Sequence, residues 1–317
     1  MNDASATVPI NEQTVLVTGA GGFIGNHCVR HLANVCKSVR ALTGPGDASF
    51  DWPANVISDE FDVRSPTSDV EAHLTGVNTI IHLAGPPAVR DSFQNAQRYV
   101  DIHTGGTTNV IQAATNAAVQ RFVYLSSAEV YGQPLTNPVP EEHRLLARSP
   151  YGAAKIGAER VIESFTQFTE IDAVILRPFS VYGPGQTMNS LLGTIIRKLQ
   201  AGDRVELFDL RPIRDYLYVA DLAKAIEKAC TAATNGCTVL NVGSGSGTSV
   251  QRFAELTSEA MDKPATIEQA SLSDRPTAAN IYELVADCRK AERVLNWGPT
   301  TDLRTGLRCT VSTEINA

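Results

Sequence analysis

Two sets of residues in this chain have the types and the spacing to do chemistry. The first is glycine: in TVLVTGAGGFIGN, residues 14–26, Gly19, Gly22 and Gly25 form a G-x-x-G-x-x-G pattern. Glycines placed between a strand and a helix let the helix's unpaired N–H groups approach a pyrophosphate that any Cβ would obstruct. Residues 19–25 therefore read as a dinucleotide cradle, with Phe23 and Ile24 opening the helix, although a tight turn with nothing bound has the same pattern. The second set is Tyr151 and Lys155, four residues apart and so on one helical face, with Ser126, Ser127 and Glu129 upstream. A phenol, an ammonium, hydroxyls and a carboxylate are groups that move protons. Their plainer reading is a capping tyrosine, a solvated lysine and a strand-end carboxylate.

The elements that must position these groups alternate in βα fashion. Thr14–Thr18 reads as a buried parallel strand and Phe23–Leu32 as a helix, followed by strands at 38–43, 56–63, 79–85, 121–125 and 174–176. In an open parallel sheet, ligands sit at the carboxyl ends of the strands, which is where Ser126 to Glu129 lie. The same edge gives Thr43, Asp62, Val63, Leu83, Ala84 and Gly85 as further cofactor contacts. Thr43 stands where an acidic residue grips the ribose of NAD, so NADP remains open; Asp47 could reach from the following GPGD, which reads as a turn. A long helix is expected over 92–118 despite Gly105-Gly106, then a proline-rich loop over 130–148. Ser149-Pro150 caps the helix that carries Tyr151 and Lys155.

Beyond residue 180 the βα rhythm breaks. The expected organisation is a tail at 1–13, a dinucleotide-binding unit at 14–180 onto which 213–233 packs back, and a mostly substrate-binding unit at 181–317. The fold class is α/β: a Rossmann-type doubly wound parallel sheet with a smaller α/β unit. With 317 residues, 43% hydrophobic and 19% charged, the composition is that of a globular chain. A net charge of −7 argues against nucleic-acid or anionic-membrane partners. Six dispersed cysteines without a C-x-x-C pair, and six dispersed histidines, predict reduced thiols and no metal. No apolar run has the length of a membrane span and residues 1–13 are polar, so a cytoplasmic location is expected.

The combination resembles the extended short-chain dehydrogenase/reductase superfamily, specifically its NAD(P)-dependent nucleotide-sugar epimerases and dehydratases. The likeness runs through TGAGGFIG, HLAG, SSAEVYG, SPYGAAK, RPFSVYGPGQ, IRDYLYVADLA, LNVGSG and VADCRKAERVLNWGP. It implies that Tyr151 is the acid/base at a sugar hydroxyl while a C4 hydride passes to or from NAD or NADP. A free phenol titrates near ~10, so the family's arrangement requires adjacent positive charge, supplied by Lys155 and the oxidised nicotinamide. Ser127 is implied to hydrogen-bond the same sugar oxygen. A nucleotide-diphosphate sugar is the implied ligand, with Ser180, Arg214 and Arg275 as its contacts, and a homodimer through helices around 92–118 and 150–168 is the implied assembly.

Three departures from the family's pattern stand out: Ser180 and His103 replace asparagines, and the pair Thr277-Ala278 replaces Gly-Asp. Dehydratases and related decarboxylases of the family carry a glutamate at Glu129, but the residue before it, an acid in dehydratases, is Ala128 here. The leading expectation is a nucleotide-sugar 4-epimerase working through a 4-keto intermediate. The alternatives are an NADPH-dependent 4-ketoreductase, a dehydratase or decarboxylase using Glu129, and, from another class, a non-catalytic dinucleotide sensor.

Overall fold

The computed structural model describes residues 8–48, 50–270 and 280–315. In chain order the first half contains β1 (Thr14–Thr18), α1 (Phe23–Ala33), β2 (Ser38–Thr43), β3 (Val56–Glu60), α2 (Thr67–Glu71) and β4 (Thr79–His82). It continues with α3 (Ala96–Tyr99), a π-helical stretch Val100–Gly106, α4 (Thr107–Asn116), β5 (Arg121–Leu125), α5 (Pro150–Phe168) and β6 (Asp172–Pro178). After these come β7 (Ser180–Tyr182), α6 (Leu191–Ala201), β8 (Arg204–Leu207), β9 (Ile213–Tyr218), α7 (Val219–Thr231) and β10 (Cys237–Val242). The last elements are β11 (Gly247–Ser249), α8 (Val250–Ala260), β12 (Thr266–Gln269), β13 (Glu283–Leu284), α9 (Arg289–Leu295) and α10 (Leu303–Ile315).

Seven strands in the order β10-β6-β5-β4-β1-β2-β3 form one sheet, and every pairing in it is parallel. Both faces are covered, which is why its central strands read as unbroken apolar runs. Val15 and Val17 of β1 join Val123 of β5 and Val174 of β6 in a core under α1 and α7, while Leu16, Phe122, Tyr124 and Ile175 face α4 and α5. Burying Leu16 completely contributes ~1.5–3 kcal/mol. Parallel pairing also sends the carboxyl ends of β1, β4, β5 and β6 to one edge, where the candidate site residues collect.

A smaller core holds Leu192, Ile195, Leu199, Phe253 and Leu307 from α6, α8 and α10. Tyr216 of β9 lies flat on Phe253, ring centroids 3.9 Å apart.

Several boundaries differ from the sequence expectation. The strand at 56–63 stops at Glu60, so Asp62 and Val63 belong to the turn that follows. The strand at 79–85 stops at His82. The helix expected over 92–118 is continuous over 96–116, but its Val100–Gly106 stretch is a π-helical turn, in which Gly106 packs so closely that an added Cβ would stand 2.6 Å from Val63 Cγ2. Within the presumed tail, Ile10–Glu12 form a 3-10 turn and Gln13 is buried, its side-chain amide donating to Val8 O and accepting from Thr79 Oγ1. Helix α7, within the expected 213–233, packs on the core of the large sheet, and elements beyond it also join: strand β10 completes the sheet, and α9 and Trp297 add to the cover of an apolar face that α1 alone does not give.

Candidate active site

The glycine turn is built by contact. Gly19 has φ +68°, and a Cβ there would lie 2.7 Å from Ala84 Cα, so the β1–α1 turn rests directly on the chain leaving β4. A Cβ on Gly25 would stand 2.0 Å from Gly19 O. Gly22 caps α1 with no side-chain hydrogen bond, which leaves the helix's first N–H groups to a ligand. The residues thus fit a dinucleotide pyrophosphate: the glycines let the turn pack tightly on itself and on the end of β4, which presents the first N–H groups of α1 at the sheet edge. Phe23 and Ile24 open α1, and Leu83 and Ala84 face the turn. Gly85 (φ +138°) lies flat against His103, whose Cε1 would be 2.2 Å from an added Cβ.

Three expected cofactor contacts have their side chains engaged elsewhere. The Thr43 hydroxyl donates to Asp59 O at 3.2 Å. Both carboxylate oxygens of Asp62 accept from Arg64, which holds that carboxyl below its usual range. Ser126 is buried and its hydroxyl donates to Glu159 Oε1 at 2.5 Å, so any contribution to a ligand comes from its backbone. Val63 is buried beneath Gly106.

The proton-handling groups converge. Ser149 Oγ accepts from Gly152 N at 3.1 Å and Pro150 occupies the first turn, starting α5 where Tyr151 can point into the sheet edge. The α5 face carrying Tyr151, Ala154, Lys155, Ala158, Glu159 and Ile162 is the buried one. The Ser127 hydroxyl lies close enough to Tyr151 to favour its ionised form, and Ser127 Oγ accepts from Glu129 N at 3.2 Å. Lys155 Nζ donates to Leu125 O at 2.7 Å and lies 5.9 Å from the Tyr151 ring centroid. His103, buried and donating from Nε2 to Pro86 O, packs edge-on to Tyr151 at 5.3 Å between centroids.

Burial dominates the electrostatics. It pushes the Tyr151 phenol up to about 12, against a smaller lowering by Ser127, and the Glu129 carboxylate nearby adds to the rise. The Lys155 ammonium is pushed down to about 7 by burial, although Glu159 one turn further along α5 favours its charge. Burial holds His103 neutral, its value lowered to about 2. Burial thus keeps Tyr151 protonated among the chain's own residues, and the charge that the sequence reading assigns jointly to Lys155 and an oxidised nicotinamide is not supplied by Lys155 by itself.

Beside this edge opens a cleft of about 1280 Å³. Its walls include Arg90 from the loop after β4, Ser180 of β7, and Phe208, Arg211, Arg214 and Tyr282 from the smaller unit. Arg214 donates to Ile213 O and Ile281 O. Arg275 lies outside the described residues. Sequence reading missed the stacking of Arg90 on Phe208 (4.9 Å) and of Arg211 on Tyr282 (5.6 Å), since loop residues carry no period. It also missed Asp215, which is buried and accepts from Ser244, Gly245 and Ala286, fixing the GSGSG turn against β9.

The sequence pattern described as "NAD dependent epimerase/dehydratase family" matches residues 15–243, most of the chain. The chain belongs to that family. Among its relatives, a putative UDP-glucose 4-epimerase of Methanocaldococcus jannaschii is 30% identical over 94% of this chain and 97% of its own. Among solved structures, MoeE5 in complex with UDP-glucose and NAD superposes with a TM-score of 0.86 at 31% identity, covering 96% of this chain and 99% of that one. The UDP-N-acetylglucosamine 4-epimerase of Methanobrevibacter ruminantium, in complex with UDP-N-acetylmuramic acid, gives 0.88 at 27% identity with the same coverage. The Rossmann sheet with its smaller second unit is thus the architecture of this family. Among the described residues no group of three or more His, Cys, Asp or Glu is arranged to hold a metal, and no helix is long and apolar enough to cross a membrane.

Proposed function

We propose that this chain is an NAD-dependent nucleotide-sugar 4-epimerase. The observation that carries the reading is the buried face of α5 that brings Tyr151 and Lys155 to Ser127 and Leu125 at the carboxyl end of β5, on the sheet edge that holds a glycine turn fitting a dinucleotide, with Val89 packed between Tyr151 and a cleft lined by arginines. Bound NAD would accept and return the C4 hydride and bring positive charge to the site. Tyr151 takes the proton of the sugar's O4 hydroxyl and later gives it back, and Ser127 donates to that oxygen to fix its position. Lys155, anchored on Leu125 O, holds the tyrosine face and adds charge below its own titration. Ser180, Arg214 and Arg275 hold the diphosphate of the nucleotide, whose guanidinium partners can bind phosphate in forked pairs.

Glu129 supports a second reading, elimination, since its carboxylate is close enough to Tyr151 to raise its titration. Against it, Ala128 is buried and has no proton to donate to a departing hydroxyl. Incubation with UDP-galactose and no added dinucleotide separates the readings. The epimerase forms UDP-glucose with no net NADH and a keto-deoxy sugar would establish elimination, whereas no reaction here together with stoichiometric NADPH consumption on a 4-keto nucleotide sugar would establish a reductase.

In the same reading the enzyme works in the cytoplasm as a homodimer, paired through residues 92–118 and 150–168. Light scattering at micromolar concentration should give twice the chain mass of 34.0 kDa, and a monomer would contradict the pairing.

A further inference from the structure

At the adenosine end of the glycine turn the expected acidic residue is missing, and the structure puts another one in its neighbourhood. Asp47 follows β2 in a turn closed by Asp47 N donating to Gly44 O at 3.0 Å, with Gly46 at φ +79°. This turn folds back onto the cradle: a Cβ on Gly21 would be 2.3 Å from Asp47 Oδ2, and Gly44 N donates to that same oxygen at 2.7 Å. Gly21 thus leaves room for a carboxylate oriented by a backbone N–H, and Ala20 N, donating to Leu42 O, ties the cradle to the end of β2.

The cations that could answer a 2′-phosphate are occupied. Arg40, the basic residue of β2, donates to His73 O and Thr75 O, and Arg64 is forked onto Asp62. Glu60 adds a second carboxylate, accepting from Gly46 N at 3.3 Å.

Resting on the dinucleotide site proposed above, we propose that Asp47 is the residue that selects NAD over NADP. Its carboxylate accepts from the hydroxyls of the adenosine ribose and repels a 2′-phosphate, in the role that Thr43 cannot fill. The geometry thereby argues against an NADPH-consuming reductase.

The test is an exchange competition. The holoprotein is incubated with equal amounts of NAD+ and NADP+, freed of unbound dinucleotide, and the retained species are quantified by mass spectrometry after denaturation. Wild type should retain NAD+ almost exclusively. Asp47→Asn keeps an oxygen for Gly44 N but removes the charge, and should shift the retained NADP+:NAD+ ratio upward ~10-fold or more, as expected for losing a charged hydrogen bond. Asp47→Glu should move it less. A ratio unchanged in Asp47→Asn, with the melting temperature held, would mean that Asp47 serves only the turn and would overturn the assignment while leaving the epimerase reading intact. A wild type that prefers NADP+ also overturns it, and a wild type that retains neither dinucleotide overturns both.

Discussion

Tyr151 is the residue on which the chemistry turns, and its surroundings set a specific demand. With the phenol pushed up to about 12 by burial, the hydroxyl is a donor in the resting protein and can accept a substrate proton only when positive charge is brought near. Tyr151→Phe removes that proton carrier without changing the shape of the pocket. Turnover should fall by ~10³-fold or more while the NAD retained by the purified protein stays near the wild-type amount; comparable turnover would exclude a proton-transfer role. Ser127→Ala removes the hydroxyl that lowers the Tyr151 titration and should cost ~10–100-fold in kcat with little change in KM, whereas a change confined to KM would make Ser127 a binding residue only. These two residues were legible in the sequence because their spacing falls at known ends of a strand and a helix. The engagement of Thr43, Asp62 and Ser126 was not, since each hydrogen bond depends on how loops fold back, which no periodicity records.

At the scale of elements, the β1–α1 turn and α5 do the positioning. Gly25→Ala would push a methyl group to within 2.0 Å of Gly19 O, so the turn must open. The expected outcome is loss of retained dinucleotide together with ~1–3 kcal/mol or more of stability, and a variant that keeps both would show that the turn is not the cradle. Helix α5 buries Lys155, whose titration falls from 10.5 to about 7 through desolvation. Between those values the unfolded chain holds a proton that the folded chain has released. Stability from this group therefore rises as pH climbs from about 7 toward 10 and is lowest below about 7. Lys155→Met should accordingly raise the melting temperature most near about pH 6 and least near about pH 10, and an equal effect at both would contradict the buried, depressed lysine. The start of α5 was readable from Ser149-Pro150. The π-helical turn within the preceding helix was not, because paired glycines mark a weak point without saying that the helix widens where Gly106 packs on Val63.

Across the whole molecule, a cleft beside the site separates a dinucleotide-type sheet from a smaller unit that supplies Phe208, Arg211, Arg214 and Tyr282. The βα alternation through β6 was plain in the sequence because the central strands β1, β4, β5 and β6 are buried on both faces and read as short apolar runs. The return of β10 to the sheet was hidden, since the chain first passes through β7, α6, β8 and β9 and only long-range pairing with β6 reveals it. The most direct test of the epimerase account uses UDP-galactose deuterated at sugar C4, incubated with the purified holoprotein without added dinucleotide. The account predicts UDP-glucose that keeps the deuterium at C4, with no reduced nicotinamide accumulating and no label transfer in Tyr151→Phe. Deuterium lost to solvent, or dinucleotide consumed in step with product, would contradict it.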